Sequence, residues 1–187
     1  MAAGPCHRKV IKIRDFLKRN AHVLIIVALS LFLIYELFLN YSYSSHIYQV
    51  DKVQYHNAIM ELDNLIMQYQ ALKKEGLNRE KLVDLLQNTE FQLIEITNTL
   101  YPINKDMKTK RQLFDEVIAQ IGQMKLTIFK NNVPSYIDRY FDILDKIYLK
   151  MGTLTPEERK KRSEIYIDDK KAEEVRSLIN SLKSLIK

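Results

Sequence analysis

The chain has 187 residues, with 29 Lys and Arg against 23 Asp and Glu, giving a formal net charge of +6 at pH 7. Four Gly and four Pro are too few for the many turns of an all-β protein. The single cysteine, Cys6, excludes an intrachain disulfide, so any fold rests on packing alone.

Residues 1–20 read as a short basic cytoplasmic tail. Arg8, Lys9, Lys12, Arg14, Lys18 and Arg19 stand against Asp15, for a local charge of +5. From residue 40 onward, 23 basic and 21 acidic residues nearly cancel, so global basicity is no evidence for nucleic acid as a partner, and none is expected. Cys6, beside this basic flank, is a candidate for acylation, although an incidental free thiol is the simpler reading.

Residues 21–39 follow, from Ala21 to Leu39, apolar except for His22, Ser30 and Glu36. These 19 residues make a helix about 28 Å long at ~1.5 Å per residue, which matches a hydrocarbon core of ~30 Å. The h-region of a cleaved signal is shorter, and the helix of a soluble core carries a polar face that this run lacks. A retained transmembrane helix is therefore expected, with cleavage at the weak small-residue pattern Ser42-Tyr43-Ser44 as the lesser alternative.

The basic flank orients the span. Lys and Arg close to a span stay on the cytoplasmic side, and the downstream flank has none until Lys52. The N-terminus is expected inside and residues 40–187 outside, with Tyr35, Tyr41, Tyr43 and Tyr48 as the outer aromatic belt and Phe16 near the inner face. Glu36 lies toward the outer end, where a carboxylate can reach headgroups and water. The sharper expectation is that Glu36 contacts a polar or basic group on a partner transmembrane helix.

Residues 40–76 are expected to form a stalk and the first bundle helix, helical to about residue 74 and kinked at Ser42, Ser44 and Ser45. Tyr55, Ile59, Leu62, Ile66 and Tyr69 form its apolar seam. Residues 77–187 supply the remaining helices, separated by "KKEGLNRE", "LYPINKD", "KNNVPS" and "MGTLTPEE". Asn78 is a candidate cap, with Leu77 and Leu82 as a hydrophobic staple. Leu82, Leu86, Thr89, Leu93, Ile96 and Leu100 then step alternately by four and three. Phe114, Val117, Ile121, Met124 and Ile128 continue the pattern, as do Ile137, Tyr140, Leu144, Ile147 and Met151. Thr155 with Glu158 forms a capping box, with Pro156 at the first helical position. The charged segment after it is expected to break near Ile167, with Asp168 capping a terminal helix whose seam is Ala172, Val175, Ile179, Leu182 and Ile186.

Short seams joined by short turns favour a bundle over one long coiled coil. The expected fold is all-α, a single N-terminal transmembrane helix followed by an antiparallel helical bundle of four to five helices.

Chemistry-bearing motifs are sparse. His46 and His56, ten residues apart on one helix, are separated by roughly 15 Å and cannot share a metal. No H-E-x-x-H, C-x-x-C, G-x-S-x-G or Gly-rich phosphate loop occurs, so neither catalytic residues, cofactor nor metal are expected, and the chain is read as a non-enzyme. Asp138, Asp142 and Asp145 share helical spacing and read as a solvated face salted with Arg139 and Lys146. Arg159, Lys160, Lys161 and Arg162 form the densest basic cluster, a candidate contact for an anionic surface and otherwise a solvated patch.

The sequon Asn40-Tyr41-Ser42 abuts the expected membrane. A large external domain with neither disulfide nor accessible glycan site reads as bacterial periplasm rather than a eukaryotic cell surface. A tail of about 20 residues is expected to hold no output domain. The expected function is that of a non-enzymatic bitopic scaffold or assembly subunit of an envelope complex. Its expected partners are the lipid bilayer and other membrane or envelope proteins, with homo-oligomers allowed. The alternative is a periplasmic helical-bundle sensor or ligand-binding module that signals through a partner. Tyr55, Tyr69, Tyr136, Tyr140 and Tyr148 are candidates to line its pocket.

Overall fold

The computed structural model describes residues 20–101, 104–152 and 167–186. Among these, five helices occur in chain order: α1 (Ala21–Glu75), α2 (Arg79–Asn98), α3 (Lys105–Lys130), α4 (Ile137–Gly152) and α5 (Asp169–Ile186). The chain divides into two compact units, Met1–His46 and Ile47–Lys187.

The described part of the first unit is the N-terminal portion of α1. Helical structure does not stop at Ser42, Ser44 or Ser45. The segment is rich in Leu, Ile and Phe, with no Gly or Pro to interrupt it. Its one hydroxyl between Val23 and Leu39 outside a tyrosine, that of Ser30, donates to the Ile26 carbonyl at 2.9 Å. That bond leaves no polar hydrogen of the serine unsatisfied on an otherwise apolar surface.

In the second unit the rest of α1 packs with α2–α5 as a bundle, and the seams legible in the sequence are its core. Tyr55, Ile59, Leu62, Ile66 and Tyr69 of α1 are buried, as are Leu82, Leu86, Thr89 and Leu93 of α2. The five seam residues of α3 and the five of α4 are buried too, along with Ala172, Val175, Ile179 and Leu182 of α5. Ile96 and Ile186 lie half-buried against this core.

Contact order fixes the directions of the helices. Tyr55, early in the bundle part of α1, donates its hydroxyl to the Met151 carbonyl at the end of α4 (2.8 Å). Tyr69, later in α1, stacks on Phe141 near the start of α4 (3.6 Å between centroids). The two helices therefore run in opposite directions. The same holds for α2 and α3, where Arg79 Nε donates to the Ile128 carbonyl (3.0 Å) and Lys125 pairs with Glu90 (2.5 Å). Helices α3 and α5 run parallel, since Lys105 meets Asp169 (2.8 Å) and Glu116 meets Arg176 (3.8 Å).

The ends are capped as the sequence specifies. The Asn78 side chain accepts from Lys81 N (3.1 Å), with Leu82 in the core and Leu77 half-buried against it. Asp168 accepts from Lys171 N (2.8 Å) at the head of α5. A third cap, Asn104 on Met107 N (2.8 Å), starts α3. Helix α1 stops at Gly76, whose φ of +91° is a conformation that L side chains rarely adopt.

Candidate functional site

The feature with the clearest functional content is the N-terminal portion of α1. Every large apolar side chain described from Val23 to Leu39 is exposed, Leu37 to 69% and Ile26 and Ile34 to 62%. A soluble protein scatters such residues singly and does not leave a continuous surface of them on all sides of a helix. This helix is long and apolar enough to cross a membrane by length and composition. Ala21 and Leu39 bound the apolar run within it, and Glu36 lies exposed near its far end. The flank of Arg8, Lys9, Lys12, Arg14, Lys18 and Arg19, with Cys6 and Phe16, lies outside the described residues. So do the cluster Arg159, Lys160, Lys161 and Arg162 and the capping box of Thr155, Pro156 and Glu158.

The bundle unit holds three polar arrangements. The first lies at the end where α3 begins. Lys110 Nζ donates to Asp106 Oδ2 at 2.7 Å, and both side chains are buried. Asp106 Oδ1 accepts from Ile167 N (3.0 Å), so this ion pair also fastens the entry of α5. The ammonium sits 4.6 Å from the centroid of the Tyr55 ring, which meets Phe114 edge-on. Burial, reinforced by the Asp106 charge, pushes the Tyr55 phenol well above its ordinary value, so it acts as a neutral donor to Met151.

One turn before Tyr55, Asp51 is fully buried. One oxygen accepts from Tyr101 N (2.8 Å); the other has no hydrogen-bond partner among the described residues. Burial pushes its carboxyl up, against the lowering effect of the Tyr101 N–H. Neighbouring Arg111 donates to the Leu100 carbonyl (3.0 Å), closing the end of α2.

The second arrangement joins α1 to α4. Asp138 accepts from the Tyr69 hydroxyl (2.5 Å) and pairs with Lys73 (2.7 Å). Hydrogen bonds from Lys73 and then Tyr69 hold this carboxyl below its ordinary range. Asp138 is therefore an inter-helix anchor rather than only part of a solvated ridge.

The third is an open groove of about 550 Å³ between α1 and α2, lined among others by Glu61, Gln68, Leu72, Asn88, Thr89 and Gln92. Burial pushes the Glu61 carboxyl up, partly offset by hydrogen bonds from Asn64 and Thr89. None of the five tyrosines noted in the sequence lines this groove. Tyr55, Tyr69 and Tyr140 are core residues, and Tyr136 and Tyr148 pack half-buried against the core. Among the described residues, no three His, Cys, Asp or Glu side chains converge as metal ligands.

The sequence reading missed the buried Asp51 and the Asp106–Lys110 pair. A signal existed, because both continue apolar seams. Asp51 precedes Tyr55 by four, and Lys110 precedes Phe114 by four. Comparison with protein-family models, curated proteins and solved structures yields no match.

Proposed function

We propose that this chain is a non-enzymatic, single-pass membrane protein whose helical bundle serves as a scaffold or assembly subunit of an envelope complex. The observation that carries this reading is the helical segment from Ala21 to Leu39, whose large apolar side chains are exposed to their surroundings. Lipid is the environment in which such a surface is stable. The basic residues before the segment support an orientation with the N-terminus in the cytoplasm and the bundle outside it, in a bacterial inner membrane facing the periplasm.

A role through protein contacts fits the bundle's surface, where Phe91, Phe129 and Leu149 are exposed large apolar side chains on three different helices. Asp106 and Lys110 in the core and exposed Asp138 at the α1–α4 contact are engaged in holding helices together. The second reading, a ligand-binding sensor, draws on the groove between α1 and α2, whose amides and carboxylates could orient a small polar ligand.

A phosphatase reporter fused after Lys187 should be active only outside the cytoplasm, and cytoplasmic activity would overturn the orientation. Photocrosslinking from Phe91 and Phe129 in intact cells should capture discrete membrane-complex proteins. Recovery of no partner from either position would remove the scaffold reading.

A further inference from the structure

The groove between α1 and α2 is acidic at two separated points and apolar between them. At one point the Glu61 carboxylate of α1 accepts hydrogen bonds from Asn64 and, across the groove, from Thr89 of α2. With its amide nitrogen turned toward Glu61, Gln92 of α2 donates to both carboxylate oxygens, at 2.5 and 3.0 Å. Toward the other end, Lys81 of α2 pairs with Glu75 of α1 (3.5 Å). These contacts set α1 and α2 antiparallel along the groove. Asp84, the second acidic point, lines it between them, five to eight residues along α2 from the partners of Glu61. At ~1.5 Å per residue, the two carboxylates stand about 8–12 Å apart.

Neither carboxylate has a cation of its own. Every donor to Glu61 is neutral, and among the described residues no Lys or Arg pairs with Glu61 or Asp84; the one ammonium lining the groove, that of Lys81, is engaged by Glu75. Glu61 is half-buried, so its charge has given up part of its hydration without gaining an opposite charge. Leu72 and the buried Leu85 line the groove beside these points, and the side-chain carbonyls of Gln68 and Asn88 add acceptors for N–H groups. Two anionic points, separated by an apolar floor, match a ligand with a cation at each end of a hydrocarbon chain. A single metal ion fits poorly, because its oxygen ligands must converge within ~2.6 Å of one point.

We propose that the groove binds a linear aliphatic diamine in its diammonium form, one ammonium on Glu61 and the other on Asp84, with the methylene chain over Leu72 and Leu85. This deepens the ligand-binding reading of the bundle and rests on it. Charge-assisted hydrogen bonds supply the attraction at both ends, and the distance between them selects chain length.

The test is calorimetric titration of the full chain in dodecyl maltoside with four probes: 1,5-diaminopentane, pentylamine, 1,5-pentanediol and glutarate. Salt at about 150 mM screens attraction beyond ~8 Å. The diamine should bind saturably at one site per chain, with pentylamine at least tenfold weaker. Glu61→Gln and Asp84→Asn should each lower the diamine affinity at least tenfold. Gln68→Arg, which puts a guanidinium into the groove from an exposed position, should do the same. Glu95→Gln, on exposed α2 outside the groove, should leave it unchanged. Circular dichroism of each variant reads the fold; should Glu61→Gln unfold, Asp84→Asn and Gln68→Arg at exposed positions decide. Absence of saturable diamine binding, parent affinity in the groove variants, or an equal loss in Glu95→Gln would each overturn the proposal. Binding of glutarate or pentanediol in place of the diamine refutes only the ligand class, whereas binding of none of the four refutes the ligand-binding reading as well.

Discussion

Helix α1 carries two apolar surfaces of similar composition in opposite circumstances. Between Val23 and Leu39 the Leu, Ile and Phe side chains are exposed, while between Tyr55 and Tyr69 the apolar residues of one face are buried to the last few per cent. Residue type does not separate the two stretches; arrangement does. Where apolar residues occupy the whole circumference they are left exposed, on a helix long and apolar enough to cross a membrane. Where they step by three and four, a polar face remains and a bundle suffices.

This contrast can be broken from either side. The largest effect is expected in the proposed span. Leu31→Arg with Leu33→Arg puts two guanidinium groups near its centre, at about 2.5–3.5 kcal/mol each on the insertion scale. Retention of the chain in alkaline-washed membranes should fall by orders of magnitude. Urea unfolding of the bundle, followed in mild detergent, should be unchanged. A bundle destabilised by this pair would mean that the two surfaces are not independent.

The converse change is Phe114→Ala. Phe114 is fully buried, meets the Tyr55 ring edge-on at 5.6 Å and lies within the packed core of α3. Its truncation should cost about 3–5 kcal/mol of bundle stability while leaving membrane retention intact. Urea midpoints and alkaline extraction on the same preparation separate the two effects.

Next in size is Lys110→Met, which keeps the side chain's length and apolar stem but removes the ammonium from buried Asp106. Breaking a buried pair from one side costs about 3 kcal/mol or more, because a buried carboxylate is left behind. Ile167 N still donates to that carboxylate, which favours the lower end of the range. The variant should also loosen the entry of α5, visible as faster amide exchange from Asp169 onward than in Phe114→Ala at matched stability.

How much of this was legible in the sequence follows from the same contrast. The seams were readable because a three-and-four spacing of Leu, Ile and Val has one stable outcome, a buried helix face. The caps at Asn78 and Asp168 were readable because capping is local, a side-chain oxygen meeting an N–H three residues on. The seam places Lys110 on the inward face of α3, but the ion pair itself was not readable. Asp106 and Lys110 have the spacing of an ordinary solvated pair, and only the entry of α5, from 61 residues away, makes them interior. Arg79, which caps the end of α3 through the Ile128 and Phe129 carbonyls, depends in the same way on the antiparallel placement of α2.

The smallest expected effect concerns Asp51, where the buried face of α1 holds a group that is disfavoured there when charged. Burial raises its folded-state pKa above the ordinary carboxylate value, so the folded bundle retains the proton to higher pH than the unfolded chain does. The stability associated with the neutral carboxyl is therefore fully present below the unfolded value of about 4 and is lost as pH rises through the raised folded value. Asp51→Asn keeps a carbonyl oxygen for the Tyr101 N–H but cannot ionise. The variant should gain on the parent chain as pH rises from about 4, and at neutral pH its bundle should be more stable by about 1 kcal/mol. The difference between the two urea-unfolding free energies isolates Asp51, because every other titrating group is common to both chains. A constant offset across pH would mean that the Asp51 carboxylate is as well accommodated inside the bundle as in water. Its burial on the α1 seam would then cost nothing, and the contrast between the two surfaces would extend to apolar side chains alone.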